Sequence, residues 1–135
     1  VARMSEMKNQ TFDLLLAKLT EEDYNIKFIL VGEGADFENI KKQSEPLFDK
    51  VILAGQRNDV PAIMKSCDGV ILPSLPGEGF PVTIIEAQAA GCQCIISDNV
   101  TSEVDVGLGL VKVISTNDVA EWVRAIRNIK RNRKG

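Results

Sequence analysis

The chain has 135 residues, 44% of them hydrophobic, enough for one buried core, so a single domain spanning 1–135 is expected. No apolar run approaches the roughly 20 residues of a membrane-spanning helix and no signal peptide is visible, which together predict a cytoplasmic protein; the net charge is −3. Cys67, Cys92 and Cys94 form an odd set without C-x-x-C spacing, and there is no histidine, which argues against zinc and disulfide chemistry and for small apolar core residues.

Along the chain, helical and extended patterns alternate. Val1-Ala2-Arg3 reads as the stub of a first strand, which implies sequence upstream of it. Phe12, Leu15, Leu16 and Leu19 fall at helical spacing, and Ile26-Lys27-Phe28-Ile29-Leu30-Val31 is a β-rich run closed by Gly32. Phe37 and Ile40 start a short helix that Pro46 limits, and Val51-Ile52-Leu53-Ala54 is a buried strand. Val60, Ile63, Met64 and Cys67 make a further helical stripe, entered at Asn58 or Asp59. Val70-Ile71-Leu72 is a strand, 81 to about 90 a helix, Cys94-Ile95-Ile96 a strand and 110–114 the last strand. Asn117 is the expected cap of a closing helix whose apolar face is Val119, Trp122, Val123, Ile126 and Ile129. Strands apolar on both faces and separated by helices imply an α/β fold, a doubly wound parallel sheet of Rossmann-like type.

Six cations and no acid lie from Arg124 onward. Such an end could meet anionic lipid or nucleic acid, but cations near a helix C-terminus also complement its dipole, and the interleaved aromatics of a nucleic-acid surface are missing. No nucleic-acid partner is expected. Gly32-Glu33-Gly34 follows a strand as a dinucleotide fingerprint would, yet the third glycine position is Phe37, and Gly55-Gln56 stands where an acidic residue should end the next strand. Nicotinamide cofactor binding is therefore set aside. Glu103-Val104-Asp105 puts two acids on one face of a strand, with no further ligand converging on them.

The run Glu78-Gly79-Phe80-Pro81-Val82-Thr83-Ile84-Ile85-Glu86 carries most of the functional information. Pro81 suits a first helical position, and Gly79 and Phe80 supply the loop entering it. Free amides and about half a positive elementary charge gather at such a helix start, so an anion can bind there without a cation from the helix. Glu86 lies roughly 7.5 Å along the axis from Pro81, and side chains tilt toward the helix start, so its carboxylate can reach a ligand there. A carboxylate accepts two hydroxyl protons, which makes a ribose diol one partner for Glu86 and sugar hydroxyls one for Glu78. Both glutamates are equally compatible with a solvated surface. The preceding strand favours the site: Asp68-Gly69-Val70-Ile71-Leu72-Pro73-Ser74 runs into a Gly-Pro-rich loop, and ligands of open α/β sheets bind at the carboxyl ends of strands.

These features resemble the C-terminal, donor-binding domain of a GT-B glycosyltransferase of the large family 4 (group 1) of retaining enzymes. The E-x7-E motif is matched by Glu78 and Glu86, the aspartate-led strand ending in Pro-Ser by residues 68–74, and the glutamate-alanine helix ending in glycine by residues 86–91. Ala2-Arg3-Met4-Ser5-Glu6-Met7-Lys8 resembles the family's Gly-Arg-x-x-x-x-Lys, with alanine for glycine. The run Ile96-Ser97-Asp98-Asn99-Val100-Thr101-Ser102-Glu103-Val104 resembles capsular or exopolysaccharide members, although the usual Gly-Gly-x-Pro-Glu is present only as Glu103.

The resemblance implies one half of a GT-B fold, acting on a nucleoside-diphosphate sugar as substrate, with no cofactor and no metal. It implies that Arg3 and Lys8 stabilise the departing β-phosphate together with amides of Phe80, Val82 and Thr83 at the helix start, which Pro81 enters without an N–H of its own, and that Glu78 meets the donor sugar and Glu86 the ribose. Gly79 would let backbone approach the ligand, and the base would rest by Gly55-Gln56-Arg57. The acceptor, a glycan or lipid-linked sugar, would be held by an N-terminal domain outside this chain, and the whole enzyme would sit at a membrane's inner face. Two alternatives remain at this point: a sugar-nucleotide epimerase half of the same fold, and a non-catalytic α/β binding module.

Overall fold

A computed structural model describes residues 9–31, 37–55, 58–74 and 82–129. Among the described residues five α-helices and five strands alternate, except that β4 passes to β5 through a 3-10 turn: α1 (Gln10–Leu19), β1 (Phe28–Val31), α2 (Phe37–Ser44), β2 (Val51–Gly55), α3 (Val60–Ser66), β3 (Gly69–Leu72), α4 (Val82–Ala89), β4 (Gln93–Ser97), β5 (Val111–Ile114) and α5 (Val119–Arg127). Each described strand pairing is parallel, and the strands form a two-stranded sheet, β1-β2, and a three-stranded sheet, β3-β4-β5. The α/β, doubly wound, Rossmann-like class expected from the alternation is the one observed.

The double winding is visible in what each strand face meets. Phe28, Leu30, Val51, Ile95 and Ile114 look toward α1, α2 and α5, where Leu16, Ala17, Ile40 and Trp122 are fully buried. Val70, Leu72, Cys94 and Ile96 look the other way, toward Met64 of α3 and Ile84 and Ala87 of α4. Alternating side chains along a strand thus feed two cores. The Trp122 ring stands edge-on to Phe12 with centroids 5.3 Å apart, and its Nε1–H donates to the Ser115 carbonyl at 3.0 Å, so the core-facing spacing read for Trp122 holds. Cys92 and Cys94 are fully buried, as expected of core thiols, and the Cys92 thiol donates to the Met64 carbonyl at 2.9 Å.

Several local expectations are corrected. The buried face of α1 is Gln10, Asp13, Leu14, Leu16 and Ala17, whereas Leu15 and Leu19 are 42% and 46% exposed. An apolar stripe this wide permits more than one facing, and packing on the sheet and on α5 selects a face one residue round from the periodic reading. The strands are not apolar-buried on both faces throughout: Ile29 and Ile52, paired across β1 and β2, are 40% and 52% exposed. Asp118, and not Asn117, caps α5, its carboxylate accepting from the Glu121 amide at 3.2 Å. Glu103 lies in a 3-10 turn, Ser102–Val104, and not in a strand.

Gly69 has a packing reason: a Cβ there would lie 2.8 Å from the Ile129 Cδ1, which closes over the start of β3.

Candidate functional site

A helix joining two parallel strands must run back along them, so the amino end of α4 lies at the carboxyl ends of β3 and β4. The chain leaving β3 is fixed there by side chains from three directions. Ser97 Oγ–H donates to the Ser74 carbonyl at 2.7 Å, Asn99 Nδ2–H to the same carbonyl at 3.1 Å, and Asn9 Nδ2–H to the Pro73 carbonyl at 2.9 Å. Asn9 sits in the left-handed region, φ 59°, a conformation asparagine tolerates, and stands directly before α1. Bonds to buried carbonyls contribute about 1 kcal/mol each, and three of them hold Pro73 and Ser74 in one position.

On α4, Ile84, Ala87 and Gln88 face inward, while Glu86 is exposed and Thr83 half-buried. Thr83 and Glu86 are three residues apart, so they are neighbours on the helix surface. Gln88, 1% exposed, spends its whole amide: Nε2–H donates to the Val104 carbonyl at 2.6 Å and the Ile84 carbonyl at 3.2 Å, and Oε1 accepts from the Val106 amide at 3.0 Å. That ties the 102–106 segment to the helix bearing Glu86. The helix ends at Gly91, whose φ of 82° is left-handed; Cys92 N–H bonds to the Ala87 carbonyl at 2.9 Å and Gly91 N–H to the Gln88 carbonyl at 3.0 Å. This is a Schellman ending, which glycine permits because it lacks a Cβ.

Of the residues singled out in the sequence, the structure places Thr83 and Glu86 on one face of α4, with Val82 opening that helix. Arg3, Lys8, Gln56, Arg57, Glu78, Gly79, Phe80 and Pro81 lie outside the described residues. Sequence reasoning missed Asn9, Ser97, Asn99 and Gln88. Asn9 had a usable signal, an asparagine directly before an amphipathic helix. The other three act through carbonyls and amides distant in sequence, which no spacing encodes.

Residues 1–132 match the family described as glycosyl transferases group 1. The chain belongs to the group 1 glycosyltransferases. It is 38% identical over 130 residues to EpsF of Bacillus subtilis, named as a glycosyltransferase, covering 93% of this chain and 34% of that protein. It is 33% identical over 138 residues to the Escherichia coli UDP-Gal:alpha-D-GlcNAc-diphosphoundecaprenol alpha-1,3-galactosyltransferase, again covering 93% and 34%. Among solved structures, Anabaena Alr3699/HepE in complex with UDP superposes with a TM-score of 0.77 at 24% identity, over 93% of this chain and 36% of that one. The chain thus spans about a third of the length of these relatives. No helix among the described residues is long and apolar enough to cross a membrane.

Proposed function

We propose that this chain is the donor half of a two-domain hexosyltransferase, binding a nucleoside-diphosphate sugar at the carboxyl edge of the three-stranded sheet. The observation that carries the reading is α4: its amino end points to that edge, and Glu86 and Thr83 share an accessible face of its first two turns. The amino end of the helix suits a diphosphate, and Glu86 suits the vicinal hydroxyls of a ribose. Cleaving the sugar–phosphate bond builds negative charge on the departing β-phosphate, and fixed donors aimed there lower the barrier. Arg3 and Lys8 would join the helix amides in that task, and Glu78 would meet the sugar. With charge neutralised in this way the transfer would be independent of metal, and no cofactor would be needed. Gln56 and Arg57 would lie by the base.

The bonds to Pro73 and Ser74 and the Gln88 ties support this reading, because they fix the segments flanking the helix and spare the ligand the cost of ordering them. The relatives support the substrate class: one is named for UDP-Gal and a diphosphoundecaprenol-linked acceptor, and another was solved with UDP. On this reading the acceptor, glycan or lipid-linked, belongs to a separate N-terminal domain. The complete enzyme works in the cytoplasm at a membrane surface, in polysaccharide biosynthesis, and the donor half alone transfers poorly. Titration calorimetry with UDP, GDP and ADP tests the proposal. At least one should bind, and Glu86→Ala should weaken it roughly 10- to 100-fold, as loss of hydrogen bonds to a charged group would. Binding by none of the three removes the donor-site reading.

A further inference from the structure

The turn that follows β4 is held from within. Val100 N–H closes it on the Ser97 carbonyl at 3.2 Å, and the Val100 side chain, 5% exposed, is sunk in the core beneath α4. Asn99 stands third in this turn, and its Nδ2–H crosses to the Ser74 carbonyl at 3.1 Å. The carboxamide therefore spans the gap between the exits of β3 and β4, at the edge to which the amino end of α4 points.

That one bond orients the whole amide. A carbonyl oxygen only accepts, so the edge of Asn99 turned to Ser74 is its NH2 edge, and Oδ1 lies on the other; the reverse would set two acceptors face to face. Ser74 is fully buried and Asn99 half-buried, which leaves the Oδ1 edge on the solvent side. Among the described residues no hydrogen bond reaches Oδ1. Nor is Asn99 needed merely as a buttress, because Ser97 Oγ–H at 2.7 Å holds the same Ser74 carbonyl and Asn9 holds the Pro73 carbonyl beside it.

An oxygen fixed in this way reads protons. The oxygens of an ionised diphosphate have none to give, whereas every sugar hydroxyl has one. The base is assigned to the end of β2, which belongs to the other sheet, so the sugar is the part of the donor that comes within reach of β4. We propose that Asn99 is a specificity-determining residue whose Oδ1 accepts a hydrogen bond from one hydroxyl of the donor sugar. The inference rests on the donor-site reading and adds to it a contact from the β4 side. A sugar that lacks or inverts that hydroxyl leaves the oxygen unpaired and is rejected on that account.

Titration calorimetry on the 135-residue chain uses UDP, GDP and ADP, then the glucose, galactose and N-acetylglucosamine esters of the nucleotide that binds. For the ester bound most tightly, Asn99→Ala should weaken binding roughly 5- to 10-fold while leaving the plain nucleotide within about twofold. Analogues of that ester with fluorine in place of one hydroxyl at a time locate the contact, since fluorine cannot donate. One of them should lose the same factor with the parent chain and nothing further with Asn99→Ala. Ser97→Ala, which leaves Asn99 in place, should still register that loss. Equal losses of nucleotide and ester would put Asn99 at the diphosphate, and fluorine penalties equal in the parent and Asn99→Ala would leave it reading no hydroxyl; either overturns the proposal. Disappearance of the penalty in Ser97→Ala overturns it as well, because the effect then passes through the position of Ser74. Binding by no nucleotide is a different failure, since it removes the donor-site reading itself and the sugar contact with it.

Discussion

The three-stranded and two-stranded sheets are made of similar apolar parallel strands, yet they are held in different ways. Around β3 and β4 the fixing groups are uncharged: buried Ser97 and Gln88 and half-buried Asn99 bond backbone, and the Gly91 ending closes α4 onto β4. Around β1 and β2 they are charged, one buried and one at the surface. Lys50 Nζ, in a residue 4% exposed, donates to the Thr20 and Asp23 carbonyls at 2.6 and 2.8 Å, and Arg127 grips the Asp23 carboxylate through Nε and Nη2 at 3.0 and 2.9 Å. Burial holds the Lys50 ammonium below its ordinary pKa. One sheet is organised to present a fixed edge; the other is attached to the first through the helices they share. A two-stranded sheet is marginal by itself, and that shared layer supplies what it lacks.

The comparison breaks most completely at Trp122, which belongs to the shared layer. Trp122→Ala should cost roughly 3–5 kcal/mol in denaturant unfolding and release both sheets together, because it empties the largest fully buried site. If only one sheet lost its exchange protection, the shared layer would not be what joins them. Next comes Gln88→Ala, which strands the Val106 amide and the Val104 carbonyl for about 1–3 kcal/mol. Exchange should quicken in α4 and 104–106 while β1 and β2 are unchanged. Lys50→Met should cost about 1 kcal/mol, because the Thr20 and Asp23 carbonyls keep backbone partners at 2.9 Å, and its exchange signature should be confined to β1 and β2.

The last effect is read as a slope with pH. Burial pushes the Asp13 carboxyl up to about 8 from 3.8. An acid with a raised folded-state pKa has its neutral form favoured by folding, so its contribution is fully present below about 4 and is lost as pH rises toward 8. Thermal midpoints of Asp13→Asn should therefore fall less between pH 4 and 8 than those of the parent chain, and parallel curves would show that Asp13 is not held neutral.

Much of this fold was legible because periodicity and punctuation are local. The helix–strand alternation, the inward Trp122 and the glycine ending of α4 follow from residues within a few positions of one another. What stayed illegible depends on the partner face. Leu15 and Leu19 look as good a stripe as the one buried, Ile29 and Ile52 look like core, and Asp118 competes with Asn117 for the same cap. At the candidate site, the helix that carries Thr83 and Glu86 could be read from the sequence, whereas the buttressing of Pro73 and Ser74 could not, since it joins residues up to 64 positions apart.

The buried thiols offer a chemical use of the architecture. Only a thiolate attacks an alkylating reagent, and burial raises the pKa of both Cys92 and Cys94, the latter to about 12. In the closed protein these sulfurs are shielded twice, by protonation and by the helices above them. Their modification must await separation of α4 from β4, so the rate at which a maleimide consumes them counts those openings directly. Slow, first-order labelling that no longer depends on reagent concentration would make the pair an internal clock for the stiffness of the edge that α4 presents.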